Sequence, residues 1–167
     1  YDTDADEELI AGTVLHFYFG ARPIELAHHI LKTKINWNNN SMLLLTAKTT
    51  ELRYIAWHDD ITPYLQIWLD YLPVHYPNEF ITKGLKTWQK LHNYRPGNVN
   101  VTAKTGRKTF QTQMRLAGVS DMYIDRVLGH RSKASAIGDV YTDMTMFEKD
   151  IKEVMENKHY MIVNEVI

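Results

Sequence analysis

Cysteine is absent from all 167 residues, which excludes disulfides, thiolate metal sites and a cysteine nucleophile. The absence also fits a reducing, intracellular setting. No apolar run approaches the roughly eighteen residues of a membrane span. Stretches such as residues 42–45 have the length of short core elements. The opening residues 1–8 are acidic and polar, unlike a secretory leader. No cluster of metal ligands is apparent, and the adjacent side chains of His28 and His29 point apart on a helix, a structural doublet. Nor does any repeat or low-complexity linker divide the chain. With 44% hydrophobic residues there is enough to fill one core, so residues 1–167 are expected to form a single domain.

Net charge is nearly missing too, at −1, but its distribution is uneven. Residues 83–133 hold eleven Lys or Arg against two acids, Asp121 and Asp125. Five acids crowd the first eight residues, and six against three bases follow from Asp143 onward. A basic middle between acidic ends suits a phosphate-binding face as well as an ordinary solvated surface.

The hydrophobic pattern predicts a mainly α chain with one small antiparallel sheet, an α+β fold. Residues 4–19 carry Leu9, Val14, Leu15 and Tyr18 near the helical period, and Gly20 breaks that helix. Pro23 then opens a short helix to about His29. Residues 34–37, 42–46 and 52–57 predict a β-meander, with turns at Asn38-Asn39-Asn40-Ser41 and at residues 48–50. Residues 61–72 predict a helix with Ile61, Tyr64, Leu65, Trp68 and Leu72 on one stripe. A linker bracketed by Pro73 and Pro77, a helix over 78–93 and a loop at Tyr94-Arg95-Pro96-Gly97-Asn98 follow. A helix over 103–117 places Phe110, Met114 and Ala117 inward and stops at Gly118. Ser120 caps a helix ending at Leu128, and Gly129 terminates it. A polar segment with Ser132, Ser135 and Gly138 leads to Tyr141, and Thr145 caps a last helix to about Asn157.

Cutting a phosphodiester without a metal needs cations for the non-bridging oxygens, a nucleophile, and an acid for the departing oxygen. Arginine suits the first task, since its planar fork grips phosphate and stays charged. Arg22 lies in the turn Gly20-Ala21-Arg22-Pro23 at a helix start, and Lys48 at a hairpin tip. Lys104 and Arg107 share one helix face, three residues apart. His130 follows a helix-ending glycine. Tyr141 sits among polar neighbours, Asp139, Thr142 and Asp143. Taken singly, each has an ordinary structural explanation.

Their order and wording together resemble the tyrosine recombinases, or phage-type integrases. Gly20-Ala21-Arg22-Pro23-Ile24-Glu25-Leu26 resembles the family's first box, and Thr46-Ala47-Lys48-Thr49 its β-hairpin lysine segment. Thr105-Gly106-Arg107-Lys108-Thr109-Phe110, Ala117-Gly118-Val119 and Val127-Leu128-Gly129-His130-Arg131-Ser132 resemble the second box. Asp139-Val140-Tyr141-Thr142 is similar to the nucleophile segment. The likeness spans nearly the whole chain, and Leu128-Gly129-His130 is its most specific part. It implies the catalytic-domain fold of DNA breaking-rejoining enzymes, acting in site-specific recombination or integration. In that resemblance Arg22 and Arg107 clamp the scissile phosphate, with Glu25 supporting Arg22 from one helical turn away. Lys48 protonates the 5′-hydroxyl leaving group, His130 hydrogen-bonds a phosphate oxygen, and Tyr141 forms the 3′-phosphotyrosyl bond. No metal or nucleotide cofactor is implied.

Two departures stand out. Lys104 occupies the place where the family usually has histidine; it keeps the positive charge but accepts no proton while charged. Lysine there is similar to the type IB topoisomerases, which makes DNA relaxation an alternative reaction; a catalytically silent DNA-binding module is another. The second departure is the 11-residue interval from His130 to Tyr141, about two longer than the family's usual spacing, which suggests a longer loop or delivery of Tyr141 into a neighbouring subunit's site. Double-stranded DNA is the expected partner, with self-assembly into a tetramer on it. The chain begins at Tyr1 and is expected to be a fragment lacking the family's N-terminal DNA-clamping domain. The apolar tail, Met161-Ile162-Val163 with Val166-Ile167, is expected either to dock on a neighbouring protomer or to pack on its own domain.

Overall fold

A computed structural model describes residues 3–72, 77–91, 102–130 and 144–165. Helix α1 (Thr3–Phe19) is central, packing against α2 (Thr62–Tyr71), α3 (Pro77–Leu91) and α4 (Thr105–Leu116). Ala11, Leu15, His16, Tyr18 and Phe19 are all buried, a wider face than the predicted stripe, because α1 is covered on several sides: besides these helices, Tyr18 stacks on His159 and Phe19 meets Trp57. Gly20, at φ +56°, ends α1. Pro23 opens the next segment as predicted, but the helix changes kind there. Glu25–His29 is a π-helical turn, closed by the Ile30 N–H on the Glu25 carbonyl, and Ile30–Lys32 is a 3₁₀ turn. Such wide turns are rare and occur mostly as local bulges. This one buries Glu25, Leu26 and Ala27 together, and Trp68 of α2 pins it by donating its indole N–H to the Leu26 carbonyl at 3.0 Å.

The meander forms as expected: β1 (Ile35–Asn36), β2 (Ser41–Leu45) and β3 (Leu52–Ala56), antiparallel in that order. Leu44 lies opposite Arg53 and Met42 opposite Ile55. Alternation along β3 turns Arg53 and Ile55 inward and leaves Leu52 62% exposed. Helices α5 (Asp121–Leu128) and α6 (Met144–Asn157) pack on β3, and a short α7 (Tyr160–Val163) is the last described helix. The Ser120 hydroxyl caps α5 by accepting the Met122 N–H at 3.4 Å.

Two expectations are corrected. Ala117 is exposed, because α4 has already ended at Leu116 and Gly118 turns the chain away at φ +81°. Thr145 lies inside α6, which begins one residue earlier, so it is not the cap. The start of the tail packs on its own domain. Tyr160 and Met161 are buried, and the Tyr160 hydroxyl donates to the Phe17 carbonyl at 3.2 Å, leaving Val163 59% exposed. The linker after Pro73, the loop at Tyr94 to Asn98, the segment from Ser132 to Tyr141, and Val166 with Ile167 lie outside the described residues. Among the described residues, no helix is long and apolar enough to cross a membrane.

Two histidines are sealed into the core. His159 donates from Nε2 to the Tyr18 carbonyl at 2.8 Å, accepts the Met161 N–H at Nδ1, and stacks on the Tyr18 ring at 3.9 Å. Burial pulls its pKa down from 6.5 to about 3, and that of His16 to about 4. Both are therefore neutral when folded, while the unfolded chain binds their protons below about 6.5. Their contribution to stability is complete above that pH and shrinks on acidification toward pH 4, by up to ~1.4 kcal/mol per pH unit for each. Denaturant unfolding at pH 7 and pH 5 is expected to differ by on the order of 3 kcal/mol; a flat profile across that interval would contradict the two neutral histidines.

Candidate active site

The cluster grows from Glu25, whose carboxylate is fully buried. It accepts the Arg22 backbone N–H at 2.8 Å, as a glutamate three residues into a helix does in a capping box. The same carboxylate takes the Arg22 guanidinium at 3.1 Å, the Ala47 N–H at 3.0 Å, and both Arg53 Nη atoms at 3.2 and 2.8 Å. Burial alone would raise its pKa, but hydrogen bonds and charge from Arg53, with the Ala47 and Arg22 amides, hold it down to about 2. Glu25 thus pairs with Arg22, yet its heavier partner is Arg53. That guanidinium, 5% exposed, also donates to the Thr46 hydroxyl at 3.0 Å, and its Nε has no partner among the described residues.

Thr46 and Ala47 begin the turn that carries Lys48, so Glu25 and Arg53 hold that hairpin from below. Lys48 itself is exposed. From the opposite side Gly129 lies on the same hairpin. A Cβ there would come within 2.6 Å of the Thr46 hydroxyl, and its φ is +67°, so glycine is required on two counts. Gly129 is the left-handed residue of a Schellman turn: its N–H bonds the Arg126 carbonyl at 3.1 Å, and the His130 N–H the Asp125 carbonyl at 2.8 Å. This turn sets His130 beside Asp125, with Nδ1 3.3 Å from the carboxylate.

Arg107, in the first turn of α4, ties these segments together. Nη1 donates to the Gly20 carbonyl at 2.9 Å and Nη2 to the Leu128 carbonyl at 2.5 Å. Its charge is met by carbonyl dipoles, and among the described residues no carboxylate pairs with it. Burial first, and then the nearby Arg22 charge, bring its pKa from 12.5 down to about 10. Burial followed by the charge of Arg107 also pushes the pKa of His130 below its ordinary value, with Arg22 adding to the effect. These mutual effects place Arg22, Arg107 and His130 within electrostatic reach of one another, with more positive charge than Glu25 neutralises. The Arg22 and His130 side chains are 22% and 38% exposed, so the cluster opens to solvent. Such an arrangement can accept an anion.

Of the residues singled out in the sequence, Arg22, Glu25, Arg107 and His130 are brought together, and Lys48 borders them on the hairpin. Lys104 stands at the start of α4, exposed and making no side-chain capping bond. Tyr141 lies outside the described residues. Sequence reasoning missed Arg53, Asp125 and His16. A charged residue at the inward parity of an apolar strand was the available signal for Arg53; nothing comparable marks the other two. A groove of about 610 Å³ lined by Trp37, Leu43, Tyr54 and Glu148 includes none of these residues. No family model matches the chain, and no curated protein matches it.

Proposed function

We propose that this chain is the catalytic domain of a tyrosine-type DNA recombinase, cleaving and rejoining strands through a 3′-phosphotyrosyl intermediate. The observation that carries this reading is Arg107. One guanidinium bonds the turns that bear Arg22 and His130, and among the described residues no carboxylate neutralises its charge. Arg22 and Arg107 then bind the non-bridging oxygens as negative charge builds on phosphorus. The Tyr141 hydroxyl gives up its proton to solvent as its oxygen attacks phosphorus, the bond to the 5′-oxygen breaks, and Lys48 gives that oxygen a proton. A 5′-hydroxyl from the partner strand later reverses the step. For His130, the Asp125 carboxylate only accepts, so Nδ1 carries the proton and Nε2 is bare while the ring is neutral. A bound phosphate favours the charged ring, whose Nε2 then donates to a phosphate oxygen.

Covalent trapping tests the reading. The protein mixed with a nicked duplex from its element's junction is expected to yield a protein–DNA band on a denaturing gel, lost in Tyr141→Phe. Binding without a band from the wild type would sink the enzyme and leave a silent DNA-binding module of this fold. Exposed Lys104 at the start of α4 favours a second reading, relaxation in the manner of a type IB topoisomerase. Accumulating Holliday junctions mark recombination; relaxed topoisomers alone mark relaxation.

A further inference from the structure

His16 is a buried group that the proposed chemistry leaves unused. Its ring is fully buried at the inner end of α1, and Nδ1 donates to the Ala21 carbonyl at 2.9 Å. Ala21 is the residue before Arg22. The other edge of the ring meets the start of α4. A Cβ on Gly106 would lie 2.3 Å from His16 Cδ2 and 2.5 Å from Nε2, so the ring rests directly on the backbone before Arg107. The Ala103 backbone is near enough to act on the ring, though Nε2 has no hydrogen-bond partner among the described residues. One rigid side chain therefore spans the gap between the turn bearing Arg22 and the helical turn bearing Arg107.

We propose that His16 is a positioning residue that sets the spacing of the Arg22 turn and the first turn of α4, so that both guanidiniums close on one phosphate. Contact with α4 fixes one side, and the Nδ1 hydrogen bond to Ala21 fixes the other. The inference rests on the phosphate-clamp reading above and names a residue that never touches the anion. A flexible or apolar replacement fills the volume but releases the Arg22 turn. The arginines then remain present and charged, but no longer at the distance one phosphate bridges.

Three variants separate positioning from packing: His16→Asn, His16→Gln and His16→Leu. Asparagine places its amide N–H near the position of Nδ1, glutamine extends past it toward Nε2, and leucine offers no donor. The readout is titration with inorganic phosphate, followed on the arginine Nε–H resonances, with melting temperature recorded alongside. His16→Leu is expected to bind phosphate roughly tenfold more weakly, the scale of one lost buried hydrogen bond. His16→Asn is expected within about threefold of wild type, and His16→Gln to resemble leucine. Equal phosphate affinity in the asparagine and glutamine variants would overturn the proposal, as would wild-type affinity in a folded leucine variant. If the leucine variant fails to fold, the asparagine–glutamine comparison decides alone. A wild type blind to phosphate would remove the clamp and this inference together; a wild type that binds, with a flat variant series, would remove only the inference.

Discussion

Glu25→Ala is expected to destabilise the domain by about 3–5 kcal/mol, because it strands a buried arginine. Arg53 is 5% exposed and its bidentate acceptor is the carboxylate that would be removed. The Arg22 and Ala47 amides lose the same acceptor, so the hairpin carrying Lys48 loosens with the fold. Urea unfolding at pH 7 measures the effect. Removing both charges by Glu25→Leu with Arg53→Met is expected to recover most of the loss, since a buried pair replaced by apolar groups is often close to neutral. A Glu25→Ala protein within about 1 kcal/mol of wild type would mean that Arg53 finds water or another anion, and that the ion pair does not hold this part of the fold together.

The second large effect is on cleavage. Arg107→Ala is expected to lower single-turnover cleavage of a nicked duplex by about 10³-fold or more, the upper end of what one preorganised transition-state donor supplies. It also leaves the Gly20 and Leu128 carbonyls without their donor, so the turns carrying Arg22 and His130 part company. Arg107→Lys keeps the charge but loses the planar fork that reaches two carbonyls at once, and is expected to fall by about 10²-fold. That contrast separates geometry from charge. Cleavage by Arg107→Ala within tenfold of wild type would remove Arg107 from the phosphate clamp.

Much of the fold was legible because its punctuation is local. Gly20, Gly118 and Gly129 end helices at positive φ, Ser120 begins one, and the asparagine run turns the meander. The candidate residues at these punctuation points were legible for the same reason: Arg22 and His130 each follow a helix-ending glycine closely. What escaped is non-local. Arg53 answers a carboxylate 28 residues earlier in the chain, and no pattern within β3 announces that partner. His16 looks like one more residue on a helix until α4, ninety positions onward, is laid against it. The π turn at Glu25–His29 buries Glu25 and Leu26 together, and no local pattern in the sequence distinguishes it from an ordinary helical turn. Ala117 was misplaced for the opposite reason: the apolar period continued for one residue after the backbone had stopped following it.

The contacts of Arg107 bear on when the cluster exists at all. Its two carbonyl partners lie 87 and 21 residues away along the chain, and a third long-range tie runs from Glu25 to β3. Closing such distant segments on one another is slow and comes late, after local helices have formed. A nascent or partly unfolded chain holds the arginines and the histidine on separate, unregistered pieces. Assembly of the arginine and histidine cluster is then a property of the finished fold, so the cleavage proposed above would stay silent throughout synthesis and in a chain that misfolds.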